Sequence, residues 1–134
     1  MHSIEIGSDL KFMTEVELLI DTVCEDLKLN EDHYGNILIA VTEAVNNAIV
    51  HGNHNDEDKK VKVEVKKDTG KVTFMISDEG NGFDFTTLPD PTAPENLELP
   101  DGRGIFLMKN LSDEVAFDLN GSKVSITFAS EDGE

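Results

Sequence analysis

The sequence predicts an α+β fold in which one strand and two helices precede two pairs of strands, with a short helix between the pairs. Two segments in the first half place apolar residues at helical spacing. Five shorter segments alternate apolar and polar residues, as strands with one buried face do. Because the two long helices and most of the strands occur in separate runs, the pattern is typical of helices packed on a sheet.

The N-terminal part is predicted to contain an edge strand followed by two helices. Residues 3–7 alternate Ile4 and Ile6 with polar residues, which indicates a short strand. The first helix is expected from about Asp9 to Leu27, and the second from about Glu31 to His51, ended by Gly52. Their inner faces comprise Phe12, Val16, Leu19, Val23 and Leu27 in the first, and Leu38, Val41, Val45, Ala48 and Ile49 in the second. The single cysteine, Cys24, falls among the apolar positions of the first helix, which favours a core residue over a nucleophile.

Two β-hairpins are predicted for the rest of the chain. The first joins a strand with Val61, Val63 and Val65 to one with Val72, Phe74 and Ile76 through the turn 68–70. The second joins residues 115–119 to residues 124–128 through Asn120-Gly121, a strong type I′ turn signal. Between the hairpins, the segment from Phe83 to Asp101 has no apolar period and contains all four prolines, which is typical of a functional or disordered loop.

The second helix carries two polar residues beside its apolar face. Glu43 and Asn47 lie four residues apart, so they share one face of the helix and flank the buried stripe. A carboxylate and a carboxamide at a core boundary need partners, and a metal ion that prefers oxygen ligands would supply them. A helix face that simply contacts water accounts for the same pair.

Asp78 has the same strand parity as Val72, Phe74 and Ile76, so its side chain is predicted to point toward the core. An inward carboxylate requires a hydrogen-bond donor. Gly80 and Gly82 follow at once, and glycines permit positive φ angles and a close approach of a ligand to the backbone. An ordinary turn after a strand would show the same glycines.

A third glycine-rich segment, Gly102-Arg103-Gly104, opens a short helical pattern that includes Leu107, Met108 and Leu111. Free backbone N–H groups at a helix N-terminus suit phosphate. A tight turn between a loop and a helix is the alternative interpretation.

Composition narrows the functional classes. The 134 residues fit one domain, 38% of them are hydrophobic, and no apolar run or leader suggests a membrane or export. The formal charge of -17, from 28 acidic and 11 basic residues, argues against direct binding to a nucleic acid. A basic protein partner would be attracted to such a surface, although a merely very soluble protein would have the same charge.

In their order and spacing, residues 41–52, 77–83 and 101–115 resemble the N box, G1 box and G2 box of the GHKL (histidine kinase-like) ATPase superfamily. The resemblance is closest to the anti-sigma factor serine/threonine protein kinases (RsbW/SpoIIAB-like). It implies a two-layer α/β sandwich of the Bergerat type, whose mixed, mostly antiparallel sheet is covered on one face by helices. Residues 1–134 would then form a single ATP-binding kinase domain with a lid over about 83–102.

The resemblance also implies a role for each site residue. Asp78 would accept the adenine amino group, while Gly80 and Gly82 leave room for the base and sugar. Asn47 would bind Mg²⁺. Backbone N–H groups at Gly102 and Gly104 would contact the phosphates, with Arg103 adding positive charge. Glu43 would be the general base that activates a hydroxyl.

The implied activity is transfer of phosphate from ATP to a serine or threonine of a small antagonist (STAS-like) protein, with a sigma factor regulated by partner switching. Glu43 favours a hydroxyl acceptor, because histidine kinases usually have Asn at this position. A homodimer in the cytoplasm is expected. The alternative is a non-catalytic nucleotide-binding module that sequesters a regulatory partner. A transition-metal site at His51 and His54 with Asp56 and Asp58 is a further alternative, although zinc requires closer ligand geometry.

Overall fold

A computed structural model describes residues 2–28, 31–53, 55–68, 70–80, 107–118 and 122–129. Its elements follow the predicted order. They are β1 (His2–Gly7), a 3₁₀ turn (Leu10–Phe12), α1 (Met13–Asp26), α2 (Glu31–Asn47), a π-helical turn (Ala48–Gly52), β2 (Lys60–Asp68), β3 (Lys71–Ser77), β4 (Glu114–Asp118) and β5 (Lys123–Ala129). Residues 107–111 are also helical.

The five strands form one sheet in the order β1-β2-β3-β5-β4, and each of the four pairings in the described residues is antiparallel. β1 lies at an edge, as predicted. The register places Val65 opposite Phe74, and Phe74 opposite Ile126, so apolar side chains share one face of the sheet. The α+β class and the predominantly antiparallel sheet are therefore confirmed.

The two helices pack on each other and on the apolar face of the sheet, where α1 contacts β1 and α2 contacts β3 and β5. The core between the layers contains the fully buried Phe74, whose ring meets Phe128 edge to face at a centroid distance of 6.1 Å. Cys24 is also buried, as predicted, and burial raises the pKa of its thiol to about 11. A thiol in this state is poorly nucleophilic at neutral pH.

Both helices differ from their predicted limits. Asp9 accepts a hydrogen bond from the Lys11 N–H at 2.9 Å and starts the 3₁₀ turn, so α1 itself begins only at Met13. The α-helical part of α2 ends at Asn47, and the chain continues as a wider π-helical turn to Gly52. The Asn53 N–H closes this turn on the Ala48 carbonyl, five residues back, at 2.8 Å.

Candidate functional site

Glu43 and Asn47 lie on one face of α2, as the sequence predicts, and both are half-buried. Ala44 and Val45, which lie between them in sequence, are in the core. The pair therefore lies at the boundary between the core and solvent, and neither side chain is fully exposed. An amide oxygen and a carboxylate in this position provide two oxygen donors within one helical turn.

The π-helical turn after α2 brings the Gly52 backbone against the side chain of Asp78. A Cβ at Gly52 would lie 2.5 Å from Asp78 Cγ and 2.8 Å from Oδ1, which is closer than such atoms can approach. Gly52 does not adopt a positive φ. Its missing side chain, and not an unusual backbone conformation, is what permits this contact. π-Helical turns inside or after α-helices occur frequently at functional sites.

Gly80 completes the enclosure of the Asp78 carboxylate. Its N–H donates to Asp78 Oδ1 at 2.8 Å. A Cβ at Gly80 would lie 2.7 Å from the Gly52 carbonyl carbon and 3.0 Å from Asp78 Oδ1. Gly80 does not adopt a positive φ, so this glycine serves a close approach and not a left-handed turn. Its backbone approaches Gly52 closely, so the two glycines and the carboxylate form one compact unit.

Asp78 follows β3 with the strand parity of the core residues Phe74 and Ile76, and its half-buried carboxylate lies against Gly52 of the turn after α2, as the inward parity predicts. Its N–H donates to the Ser122 carbonyl at 2.8 Å, which anchors this end of β3. Desolvation on burial raises the pKa of its carboxyl group, against the opposing effects of the Gly80 N–H and the Lys59 charge. The side chain is thus a half-buried acceptor whose charged form is stabilised only in part by the protein.

A buried polar network next to residues 78–80 has no counterpart among the sequence predictions. Among the described residues, Ser8 and Asn53 are the polar side chains with no exposed surface. Asn53 Nδ2 donates to Ser8 Oγ at 2.7 Å and to the Lys60 carbonyl at 3.1 Å, while Asn53 Oδ1 accepts from the Glu79 N–H at 2.8 Å. The sequence offered only a weak signal, since Asn53 begins what was interpreted as a polar loop.

The remaining predicted site residues, Gly82, Gly102, Arg103 and Gly104, lie outside the described residues. So does His54, which belonged to the alternative transition-metal site.

The described part of the chain contains no group of three or more His, Cys, Asp and Glu side chains arranged to hold a metal ion. Mg²⁺ does not require such a group, because it is usually bound by one or two protein oxygens together with substrate phosphates. The oxygen donors of Glu43 and Asn47, half-buried on one helix face, fit that mode of binding. Within the same described residues, no helix has the length and apolar character needed to cross a membrane.

Comparison with known proteins identifies the family of this chain. Residues 7–128 match the model of the histidine kinase-like ATPase domain. The chain is 36% identical over 86 residues to an anti-sigma F factor of Clostridium botulinum, a match that covers 61% of this chain and 59% of the relative. It is 29% identical over 132 residues to the serine-protein kinase RsbW of Staphylococcus aureus, covering 91% and 82% of the two chains.

A solved structure supports the fold. The structure of the RsbU and RsbW domains of a Mycobacterium tuberculosis protein aligns with a TM-score of 0.60 at 14% identity, covering 97% of this chain and 32% of that one. The family model spans both long helices, the strands β2 to β4 with nearly all of β5, and the Asp78 enclosure. The named relatives confirm the resemblance that the three sequence segments indicate. The chain therefore belongs to the histidine kinase-like ATPase domain family.

Proposed function

We propose that this chain is an ATP-dependent serine/threonine protein kinase of the anti-sigma type. It phosphorylates a small antagonist protein and regulates a sigma factor by partner switching. Membership of the ATPase family and similarity to proteins named anti-sigma F factor and serine-protein kinase RsbW support this proposal. The matches to the two anti-sigma F factors span 59% of the length of those relatives. The activity and partners of this chain are therefore proposed from its site residues as well as from the similarity.

The observation that carries the proposal is the enclosure of the Asp78 carboxylate by Gly52 and Gly80. The carboxylate is half-buried, burial raises its pKa, and it fits between Gly52 and Gly80 only because neither residue has a Cβ. Such an acceptor gains a favourable partner when the exocyclic amino group of adenine donates to it. Asp78 therefore forms the base end of the ATP site.

In this proposal the phosphate end of the ATP site lies toward Glu43 and Asn47. Both residues belong to α2, which continues into the turn that carries Gly52. Gly52 follows Asn47 by five positions, which is at most about 8 Å along a helix axis at the α-helical rise per residue. A nucleotide held at Asp78 is long enough to bring its phosphates to this part of α2. The Asn47 amide oxygen would hold Mg²⁺, which when bound supplies charge neutralisation between the phosphate groups. Gly82, Gly102, Arg103 and Gly104 complete the nucleotide site in this proposal.

Glu43 acts as the general base. Its carboxylate accepts the proton of the serine or threonine hydroxyl as the oxygen attacks the γ-phosphorus, and ADP is the leaving group. Because phosphoryl transfer depends mainly on positioning and charge stabilisation, one base and a few binding groups suffice.

The proposed partners are the antagonist protein and a sigma factor, which are bound by a homodimer in the cytoplasm. The net charge of -17 disfavours a nucleic-acid partner.

The test is transfer of labelled γ-phosphate from ATP to a candidate antagonist, with the parent chain, Glu43→Ala and Glu43→Gln compared. We expect transfer by the parent and its loss in both variants, with ADP binding retained. ADP binding by the parent without transfer to a cognate antagonist would instead identify a nucleotide-binding module that sequesters its partner. Undiminished transfer by Glu43→Ala would exclude Glu43 as the base.

A further inference from the structure

The buried amide of Asn53 contacts the segment that carries Asp78 at the N–H of the next residue, Glu79. All of its polar side-chain atoms are engaged: Oδ1 with the Glu79 N–H at 2.8 Å, and Nδ2 with Ser8 Oγ at 2.7 Å and the Lys60 carbonyl at 3.1 Å. Ser8 Oγ in turn donates to the Lys59 carbonyl at 2.7 Å. One side chain thus joins the residue after β1, the start of β2 and the end of β3.

The hydrogen bond to Glu79 has a special position, because Glu79 lies between Asp78 and Gly80. Three main-chain groups fix this short segment. The Asp78 N–H donates to the Ser122 carbonyl, the Gly80 N–H donates to the Asp78 carboxylate, and the Glu79 N–H donates to Asn53. The Glu79 carboxylate also accepts from the Lys60 N–H. Among these contacts, the one with Asn53 links residues 78–80 to the end of the π-helical turn.

Asn53 also belongs to the turn that supplies Gly52. Its own N–H closes the π-helical turn on Ala48 at 2.8 Å, so its backbone fixes Gly52 while its side chain fixes Glu79. The two surfaces that enclose the Asp78 carboxylate, Gly52 and Gly80, are therefore held together through one residue.

We propose that Asn53 is a positioning residue for nucleotide binding, which holds the Asp78 carboxylate at the orientation that accepts the adenine amino group. This inference rests on the proposed function of Asp78. Asn53 does not contact the nucleotide itself, since its side chain is fully buried and both of its polar atoms are bonded within the protein.

The amide is the chemical group that this position requires. It accepts at one atom and donates at the other, matching an N–H on one side and two oxygens on the other. Alanine would leave the Glu79 N–H and the Lys60 carbonyl without this partner, and the segment would lose one of its fixed points.

The experiment measures the affinities of ADP and GDP by calorimetry for the parent, Asn53→Ala and the control Val65→Ala. Val65 is a core residue of β2 that is 2% exposed, and its truncation lowers stability without touching the Asn53 network. Adenine presents an amino donor where guanine presents a carbonyl acceptor, so the ratio of the two affinities reports the orientation of Asp78.

We expect Asn53→Ala to weaken ADP binding on the order of tenfold and to reduce the preference for ADP over GDP, while Val65→Ala keeps the parent's preference. If Asn53→Ala does not fold, Asn53→Ser is judged by the same two measurements. The parent's ADP affinity in the Asn53 variant, or equal losses for ADP and GDP, would overturn the inference. Parent-like ADP binding by Asp78→Asn would instead show that the base-acceptor role is wrong, and it would overturn both proposals.

Discussion

The Asp78 carboxylate lies directly against the backbone of Gly52, although the two residues come from the end of β3 and the turn after α2. The contact exists because Gly52 has no Cβ, and Gly80 closes the other side with an N–H donated to Oδ1 at 2.8 Å. A half-buried acceptor is therefore held in a space that a single methyl group would fill.

Gly52→Ala should disrupt the site and destabilise the fold. The added methyl group would overlap the Asp78 carboxylate, and overpacking of this kind costs about 1–3 kcal/mol. We expect a lower urea midpoint and loss of ADP binding.

Gly35→Ala is the matched control, because Gly35 lies within α2 and a Cβ there meets nothing within 4 Å. This variant should gain about 0.5–1 kcal/mol from its higher helix propensity and bind ADP as the parent does. Similar behaviour of the two alanine variants would contradict the steric role of Gly52.

Asp78→Asn should stabilise the nucleotide-free protein at neutral pH. Burial raises the pKa of Asp78 above its ordinary value of 3.8, so the ionised carboxylate is less favourable in the folded than in the unfolded chain. The neutral amide of Asn avoids this cost. The parent protein bears it because the site needs the carboxylate, a trade-off of stability for function. Urea unfolding of both proteins at pH 7.5 should show the higher free energy of unfolding for the variant.

The same comparison at lower pH has a defined sign. Because the folded pKa is the higher one, protonation of Asp78 stabilises the parent as the pH falls through that pKa. The advantage of Asp78→Asn should therefore shrink as the pH falls from 7.5 toward the ordinary carboxyl value of 3.8. Taking the difference between the two proteins cancels the titration of the other acidic residues. An advantage that grows on acidification would mean that the pKa of Asp78 is lowered in the folded state.

Glu43→Gln should reduce the rate of phosphate transfer by about 100-fold to 10,000-fold, the usual contribution of a general base. The amide keeps the size and hydrogen-bonding reach of the carboxylate but cannot accept the hydroxyl proton. ADP affinity, measured in parallel, should change little. A variant that lost ADP binding to the same degree as transfer would place Glu43 in nucleotide binding instead.

Cys24 should resist thiol reagents in the native protein. Its pKa of about 11 leaves roughly one thiolate per thousand at pH 8, and its side chain is buried. Labelling should occur only as the chain unfolds, so its rate should rise sharply in guanidinium chloride. Rapid labelling of native protein would contradict the core position.

The sequence predicted those features that depend on periodicity. Strand alternation identified the inward side of Asp78, and helical spacing placed Glu43 and Asn47 on one face. Both predictions follow from the repeat of side-chain direction along a strand or a helix, which depends only on residues close in sequence.

Features that depend on tertiary contact were not predictable in this way. Gly52 was interpreted as a helix end, yet its lack of a side chain serves Asp78, 26 positions further along the chain. Asn53 bonds to Ser8, 45 positions earlier, and no local pattern distinguishes it from an ordinary loop asparagine. The π-helical turn was missed because apolar spacing does not separate it from a continuing α-helix.

The central claim is that Asp78 accepts the adenine base, and ADP titration of the parent and Asp78→Asn by calorimetry tests it most directly. We expect the parent to bind ADP and the variant to bind it more than about fivefold less tightly, a loss of about 1 kcal/mol or more. Equal ADP affinities in the two folded proteins would contradict the claim.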